Sequence, residues 1–524
     1  MKRHLYILAV AFVTLSCGFL DEDPRGKQHS GGFFSSPQDL DASLNSLYYV
    51  VATSQQSNNL IGTNFLSGDD ISTHPASNKQ SLREFDQYDV KNNNAWMQTL
   101  WEQRFKVIKA ANFIINNAGR TPDASEEAIA QTIAQAHYWR AFSYFYLVTT
   151  WGPVPVMLKE EIDYNAPLKS EEEIYELILS DLQIAEDGCP VEYSTAPYFQ
   201  NGVNVAVSKA AVKATMSYVY MCMAGWPLNK TEYYEDAASK ALEVIEGVEN
   251  GTYDYGLLES FSDIHSIAHN RSNRELLLGI YYNRDKNSNA TPATDCLLEM
   301  PGGWGDTNGE IKFWKEFPEG PRKEATYFPQ IMLNGTLQDW WYDTDPASRE
   351  VVAPVFMKTA EGTVQGQEFD YRDPLGCIAY GDKTIQVIRL SQVYCWYAEA
   401  VGRSGSGDKA KAAEVLSKVA SRAYAPGETP DYSAMSYEEL AEAAYDEHGW
   451  EVAGYYWSGF ATRSRDMFRM YRFREHFEYR IQNPMIEVAP GVFRNEKVPV
   501  TGVWDDSKMY APYPFTDASI NPGL

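Results

Sequence analysis

The chain is poor in cysteine, short of basic charge and, beyond its opening residues, without any long apolar run. Six cysteines in 524 residues make no C-x-x-C pair and no zinc spacing, so neither a thiol redox motif nor a zinc centre is written in them. With Cys17 set aside, Cys189, Cys222, Cys296, Cys377 and Cys395 are odd in number and scattered, which argues against a disulfide framework. Cys222 and Cys395 stand in apolar helical text, where a free thiol packs as a small hydrophobe. Lys and Arg number 45 against 71 Asp and Glu, a formal charge of −26. Such a balance argues against nucleic acid as a partner, because phosphates must be neutralised by basic side chains. No stretch after Cys17 approaches the roughly eighteen unbroken apolar residues of a membrane helix. No G-x-S-x-G elbow, H-E-x-x-H pair or Gly-rich phosphate loop occurs. Aromatic residues, in contrast, abound: 13 Trp and 35 Tyr exceed what a helical core needs and point to stacking as well as packing.

The one apolar run comes first. Lys2 and Arg3 precede Leu5 to Leu15, a positive n-region and an apolar h-region too short to span a bilayer. Leu15-Ser16-Cys17-Gly18 resembles a lipobox, so residues 1–16 read as a lipoprotein signal peptide and Cys17 as the lipidated residue. The alternative is an ordinary signal with an incidental cysteine. Asp21, Glu22 and Asp23 follow in a segment that cannot pack a core. Residues 17–30 therefore read as anchor and acidic tether. Acids give no adhesion to anionic lipid, so the anchoring is hydrophobic, through acyl carbons at about 0.8 kcal/mol per buried methylene.

The remainder, residues 31–524, reads as a single, mainly α domain. "WMQTLWEQRFKVIKAANFIINNA" from Trp96 to Ala118 spaces Met97, Trp101, Phe105, Ile108 and Ile115 along one helical face. The next helix, about Ile129 to Thr150, is apolar nearly all round in its second half and should be buried between neighbours, with Trp151-Gly152-Pro153 as its stop. Ser170 with Glu173, and Ser436 with Glu439, have capping-box spacing. Val207 to Trp226 and Glu232 to Glu246 form a helical pair; Ile385 to Val401 and Ala410 to Ala423 form another. Helix, breaker, helix repeats like a tetratricopeptide array, although no clean 34-residue period survives. Two stretches differ, about 51–94 and 252–370, rich in Gly, Pro, Asn and aromatics. Long irregular segments in a compact domain are more often functional than idle. The expected architecture is thus a tetratricopeptide-like helical scaffold with an inserted loop-rich, little-β ligand face.

Several segments are similar to the SusD/RagB family of outer-membrane lipoproteins. "AQAHYWRAFSYFYLVTTWGPVPV" resembles a family helix and its stop, and "WEQRFKVIKAANFII" the helix before it. "VSKAAVKATMSYVYMCMAG", "IRLSQVYCWYAEAVGRSG" and the closing "SINPGL" have counterparts in the same order. "GPRKEATYF" resembles a family "DPR…T" strand, with Gly320 in the Asp position. "YDEHGWEVAGYYW…RDMFRMY" resembles a late family block, with His448 where Arg is usual and the part after it rewritten. The resemblance spans essentially the whole chain. It implies a non-enzymatic cell-surface lipoprotein that captures glycans, or in some members peptides, and delivers them to a SusC-like, TonB-dependent transporter barrel. It also implies an outer-membrane location facing the exterior, and the acidic tether is similar to the family's surface-export signal.

Ligand residues vary in position within that family, so the candidates rest on chemistry alone. Sugar rings present apolar C–H faces, which exposed Trp and Tyr can stack against, while Asp, Asn and Arg meet the hydroxyls. Trp304 in "PGGWGD" is the first choice, since Gly302, Gly303 and Gly305 leave its ring bare. Trp340, Trp341 and Tyr342 in "QDWWYDTDP" follow, although a loop Trp can equally plug a core. Asp69, Asp70 and His74 in "SGDDISTHP" are candidate hydroxyl partners, with a turn and a solvated edge as the alternative. Trp96, Trp101, Trp139 and Trp396 fall in helical pattern and read as core. His265 and His269, with no acid or cysteine at ligand spacing, read as surface histidines. "DKNSNATPATDC" from Asp285 fails as a calcium loop, with Ala290 for the required Gly and Cys296 where the bidentate Glu belongs. No cofactor is expected, and a structural calcium has no residues assigned to it. A glycan-degrading enzyme is the rival class, because paired carboxylates about 5 to 9.5 Å apart are all it requires.

Overall fold

Side-chain caps set where the helices of this computed structural model begin, and apolar faces set what they pack on. The structure describes residues 32–54, 68–73, 75, 80–161, 163–195, 197–282, 307–333, 336–342, 353–358, 383–454 and 460–524. In chain order the helices are α1 (Gln38–Ser54), α2 (Gln80–Asp86), α3 (Ala95–Asn117), α4 (Glu126–Trp151) and α5 (Glu171–Gly188). Next come α6 (Lys209–Ala224), α7 (Tyr233–Glu249), α8 (Ile311–Glu316), α9 (Pro321–Thr326) and α10 (Leu390–Ser404). The chain closes with α11 (Lys409–Ala420), α12 (Tyr437–Val452), α13 (Arg463–Arg469), α14 (Phe473–Gln482) and α15 (Phe515–Ala518). Asn94 starts α3 by accepting from the Trp96 and Met97 N–H groups. Ser170 with Glu173, and Ser436 with Glu439, close their capping boxes on α5 and α12. Gly152 ends α4 at φ 72°, a left-handed turn that a side chain would strain.

The hub is α4, in which every residue from Ala134 to Trp151 is buried. It packs on α3 and α5, α6 packs on α7, and α10 lies against both α7 and α12. Stacked pairs of this kind bury their faces on one another, and the scaffold is tetratricopeptide-like as expected. Among the described residues the strands form only two-stranded sheets. One apolar core runs from Phe34 to Ala511 and takes in Cys189, Cys222 and Cys395 as well as Trp101, Trp139 and Trp396; Trp96 is half-buried against it. The buried Arg140 inside α4 is matched: it donates to both Asp181 oxygens at 2.7 Å and to the Asn112 side chain at 2.8 Å.

Four local expectations are corrected. Ile385–Arg389 is not the start of a helix but a strand, antiparallel to Leu276–Ile280; its apolar β-branched residues suit a strand as well as a helix, and α10 begins only at Leu390. The stretch 51–94 is less irregular than it reads, since α1 runs on to Ser54 and α2 occupies Gln80–Asp86. "PRKEAT" is helix α9, not a strand, with Pro321 in its first turn. His265 is buried, in a 3₁₀ turn, not on the surface, and burial holds its imidazole well below the usual range.

Three arginines and three glutamates tie the inserted segment to the scaffold. Arg322 of α9 donates to Glu447 at 2.8 Å and to Glu451 at 3.3 Å on α12. Arg389 reaches Glu275 and Glu451 at 3.0 Å each. Arg422 donates to Glu275 at 2.6 and 2.9 Å and to Glu451 at 3.1 Å. Gly320 just before α9 stands at φ 138°, where a Cβ would lie 2.4 Å from the Ala425 nitrogen, so this backbone has no room for the family's Asp. His448 is also accommodated: its Nε2 accepts from the Trp396 indole at 3.1 Å and its Nδ1 meets Asp466 at 2.5 Å.

Candidate functional site

The loop-rich face is founded on a short antiparallel pair, Ile71–Thr73 against Thr307–Gly309. Asp69 and Asp70 stand at its entry, and both turn inward. Asp69 grips Arg463 of α13 with two bonds of 2.7 and 2.9 Å, and that guanidinium lies 4.4 Å from the Tyr445 ring centroid. Burial pushes the Asp69 carboxyl up, but Arg463, by charge and by hydrogen bond, more than offsets it and holds it below the ordinary range. Asp70 is 2% exposed. Its carboxylate accepts the Gly454 N–H at 2.7 Å, and its carbonyl accepts the Glu310 N–H at 3.1 Å. Burial raises the Asp70 carboxyl to about 6. The structure thus gives both acids protein partners that fasten the face to α12 and α13. His74, Trp304 and Cys17 lie outside the described residues.

Residues 340–342 divide into three environments. Trp340 is 1% exposed and packs edge-on against Trp314 of α8 with ring centroids 5.1 Å apart. It is the plug that a loop Trp can be. Trp341 is half-buried, 5.4 Å from Trp314, and its carbonyl accepts from Arg494. Tyr342 is 60% exposed. Lys323 of α9 sits 4.6 Å from the Trp314 ring and stiffens the corner from beneath. The run therefore supplies one anchor, one half-open ring and one bare ring, a geometry suited to stacking on an apolar ligand face.

Sequence reading missed a buried polar layer next to this corner. Glu310 is fully buried and holds His476 Nε2 with both carboxylate oxygens at 2.8 Å, while His476 Nδ1 meets the Tyr88 hydroxyl at 2.6 Å. Arg480, one turn along α14, binds Asp86 and the Val498 carbonyl. Glu496 accepts the Ile311 N–H at 2.6 Å. Burial raises the Glu310 carboxyl, and burial with the Glu310 charge raises Glu496 to about 8. Burial and then Arg480 lower His476 to about 4. The available signal was His476 and Arg480 four residues apart, one helical face carrying two polar groups in apolar surroundings. Among the described residues no three His, Cys, Asp or Glu side chains are placed to hold a metal ion, and no helix is long and apolar enough to cross a membrane.

Comparison with known proteins places this geometry in a wider group. A SusD-like family model, described as starch-binding and associating with the outer membrane, matches residues 18–221. SusD-like protein P2 of Formosa agariphila is 28% identical over 319 residues, which span 59% of this chain and 59% of that protein. A SusD homolog from Bacteroides thetaiotaomicron shares the fold at a TM-score of 0.75 and 17% identity, over 94% of this chain and 97% of that one. A structure solved with a xylogluco-oligosaccharide aligns at a TM-score of 0.69 and 20% identity, over 92% of this chain and 97% of its own. Matched segment, relatives and fold agree in one direction: this chain is similar to the SusD-like proteins over residues 18–221 and shares their fold along nearly its whole length.

Proposed function

We propose that this protein captures an oligosaccharide on its loop-rich face and delivers it to a TonB-dependent transporter barrel. Lipid on Cys17 would hold it to the outer membrane, on the side facing the cell exterior. One observation carries the reading: Tyr342 presents a bare ring beside the half-buried Trp341, on a fold shared along its length with a relative whose structure contains a xylogluco-oligosaccharide. A pyranose can lay its C–H face on such a ring while polar neighbours meet its hydroxyls. Fixed rings bind at small entropic cost, and Trp340 fixes this corner by filling the space beneath it. Trp304, if it joins the same face, adds a second stacking surface.

Native gels cast with a panel of soluble polysaccharides test the reading. Retardation by at least one glycan, without new reducing ends, is the expected result. New reducing ends would replace the binder with an enzyme, and no retardation by any glycan would count against sugar capture. Intact-mass analysis of the mature protein should find an acylated N-terminal Cys17. Solubilised membranes should yield a barrel protein that co-purifies with it.

A further inference from the structure

Between α14, the hairpin Ile486–Arg494 and the segment after it lies a cavity of about 540 Å³. Its inner end holds Glu310, Arg480 and Glu496, and toward solvent it is flanked by Ile481 and Met485, each more than half exposed. The acids inside outnumber the cations, and burial keeps the surplus protonated. Arg480 is committed to Asp86 and the Val498 carbonyl. His476 is taken between Glu310 and Tyr88. Lys312 on α8 pairs with Glu316 at 2.5 Å and lies over the Tyr479 ring. Among the described residues, Asp86, Glu310 and Glu496 therefore share one buried guanidinium, that of Arg480. Glu496 Oε1 has the Ile311 N–H, but Glu496 Oε2 is buried and has no hydrogen-bond partner among the described residues. A carboxylate oxygen left so costs free energy unless something donates to it.

We infer that this cavity binds a primary ammonium group on an apolar stem, the ammonium meeting Glu496 and Glu310 and the stem lying between Ile481 and Met485. An ammonium brings three donors and a positive charge that can take the place of a carboxyl proton, and a stem of about four or five carbons would cover the exposed apolar rim. A metal ion suits the site less, since among the described residues no three ligating side chains converge and the mouth is apolar. Small alkylamines and polypeptide lysines share this chemistry. The inference is independent of sugar capture, and either stands without the other.

Glu496 faces Glu310, Asp86 and Arg480, with Tyr479 nearby. Burial and Glu310 keep its proton on to about pH 8. An ammonium in the cavity favours the carboxylate, so binding releases a proton and tightens as pH rises from about 6 to 8. Calorimetric titration of the full chain with methylammonium, n-butylammonium and N-acetyl-lysine amide at these two pH values tests this. Saturable binding is expected, tighter at pH 8 and tighter for butyl than for methyl. Glu496→Gln keeps the acceptor for Ile311 and should weaken every ammonium at least about tenfold. Met485→Ser, at an exposed position that folding tolerates, should weaken butyl and leave methyl unchanged. Butylammonium binding without acetyl-lysine amide would assign small free amines, and comparable affinities would assign a polypeptide lysine; both support the site. No saturable heat, undiminished binding in Glu496→Gln, or calcium chloride binding in place of the amines would overturn it.

Discussion

The Gly454 N–H and the Asp70 carboxylate, 384 residues apart in the chain, meet in a 2.7 Å hydrogen bond. The bond is made in a place where Asp70 is almost fully buried, and burial raises its carboxyl to about 6. An unfolded Asp titrates near 3.9. Between these values the folded protein keeps a proton that the unfolded chain has released. Stability from this group is therefore greatest below about pH 4, falls as pH rises to about 6, and is level above. Asp70→Asn retains an acceptor for Gly454 and has no charge to bury. Urea unfolding at pH 4 and pH 7 should show the variant gaining on the wild type by roughly 3 kcal/mol across that window. A difference that does not change with pH would contradict the assignment.

Its neighbour Asp69 has the opposite sign. Arg463 holds the Asp69 carboxyl below the ordinary range, so this pair stabilises the fold above about pH 4 and loses that effect as pH falls further. Asp69→Ala leaves the Arg463 guanidinium buried, with Asp446 at 4.0 Å as the one other carboxylate paired with it among the described residues. The expected loss at pH 7 is about 3 kcal/mol, the usual result of breaking one side of a buried pair. It should shrink steadily in unfolding titrations as the pH is taken below about 4.

Arg389 ties Glu275, the residue before the strand Leu276–Ile280, to Glu451 of α12. Arg389→Ala would strand both carboxylates in the core beside Arg422, at a cost of about 3 to 5 kcal/mol. Arg474, by contrast, pairs with Glu478 on the exposed face of α14. Arg474→Ala should leave the thermal midpoint where it is. Calorimetric melts of the two variants side by side check the contrast, and equal shifts would refute the importance of the buried network.

How far the sequence discloses this molecule depends on the range of the interactions. Helix starts were legible because caps act within three residues, as at Ser170 and Ser436. The burial of α4 was legible because its apolar residues leave no polar face. The strand Ile385–Arg389 was not, since a short, largely apolar run fits either structure until Leu276–Ile280 supplies a partner from more than a hundred residues away. The partners of Asp69 and Asp70 were hidden for the same reason. A pair of acids beside a glycine looks like a solvated turn, and only Arg463 and Gly454 convert it into a buried anchor. The layer of Glu310, His476 and Glu496 joins three distant segments, so no local spacing could have announced it.

Adjacent aromatics at 340–342 allow binding and packing to be separated by single substitutions. Trp340 is enclosed by Trp314 and Trp341, and Trp340→Ala should destabilise the protein by about 3 to 5 kcal/mol through the cavity it leaves. Tyr342 is mostly in solvent, so Tyr342→Ala should melt like the wild type yet bind a confirmed glycan roughly tenfold more weakly, the worth of one stacked ring. Trp304→Ala should behave like Tyr342→Ala if its ring faces ligand. Affinity electrophoresis and thermal melts on the same three samples supply both readouts. Full retention of affinity in the Tyr342 and Trp304 variants would remove the aromatic corner from the binding site. A Tyr342 variant that melts early would instead make this ring part of the packing that Trp340 begins.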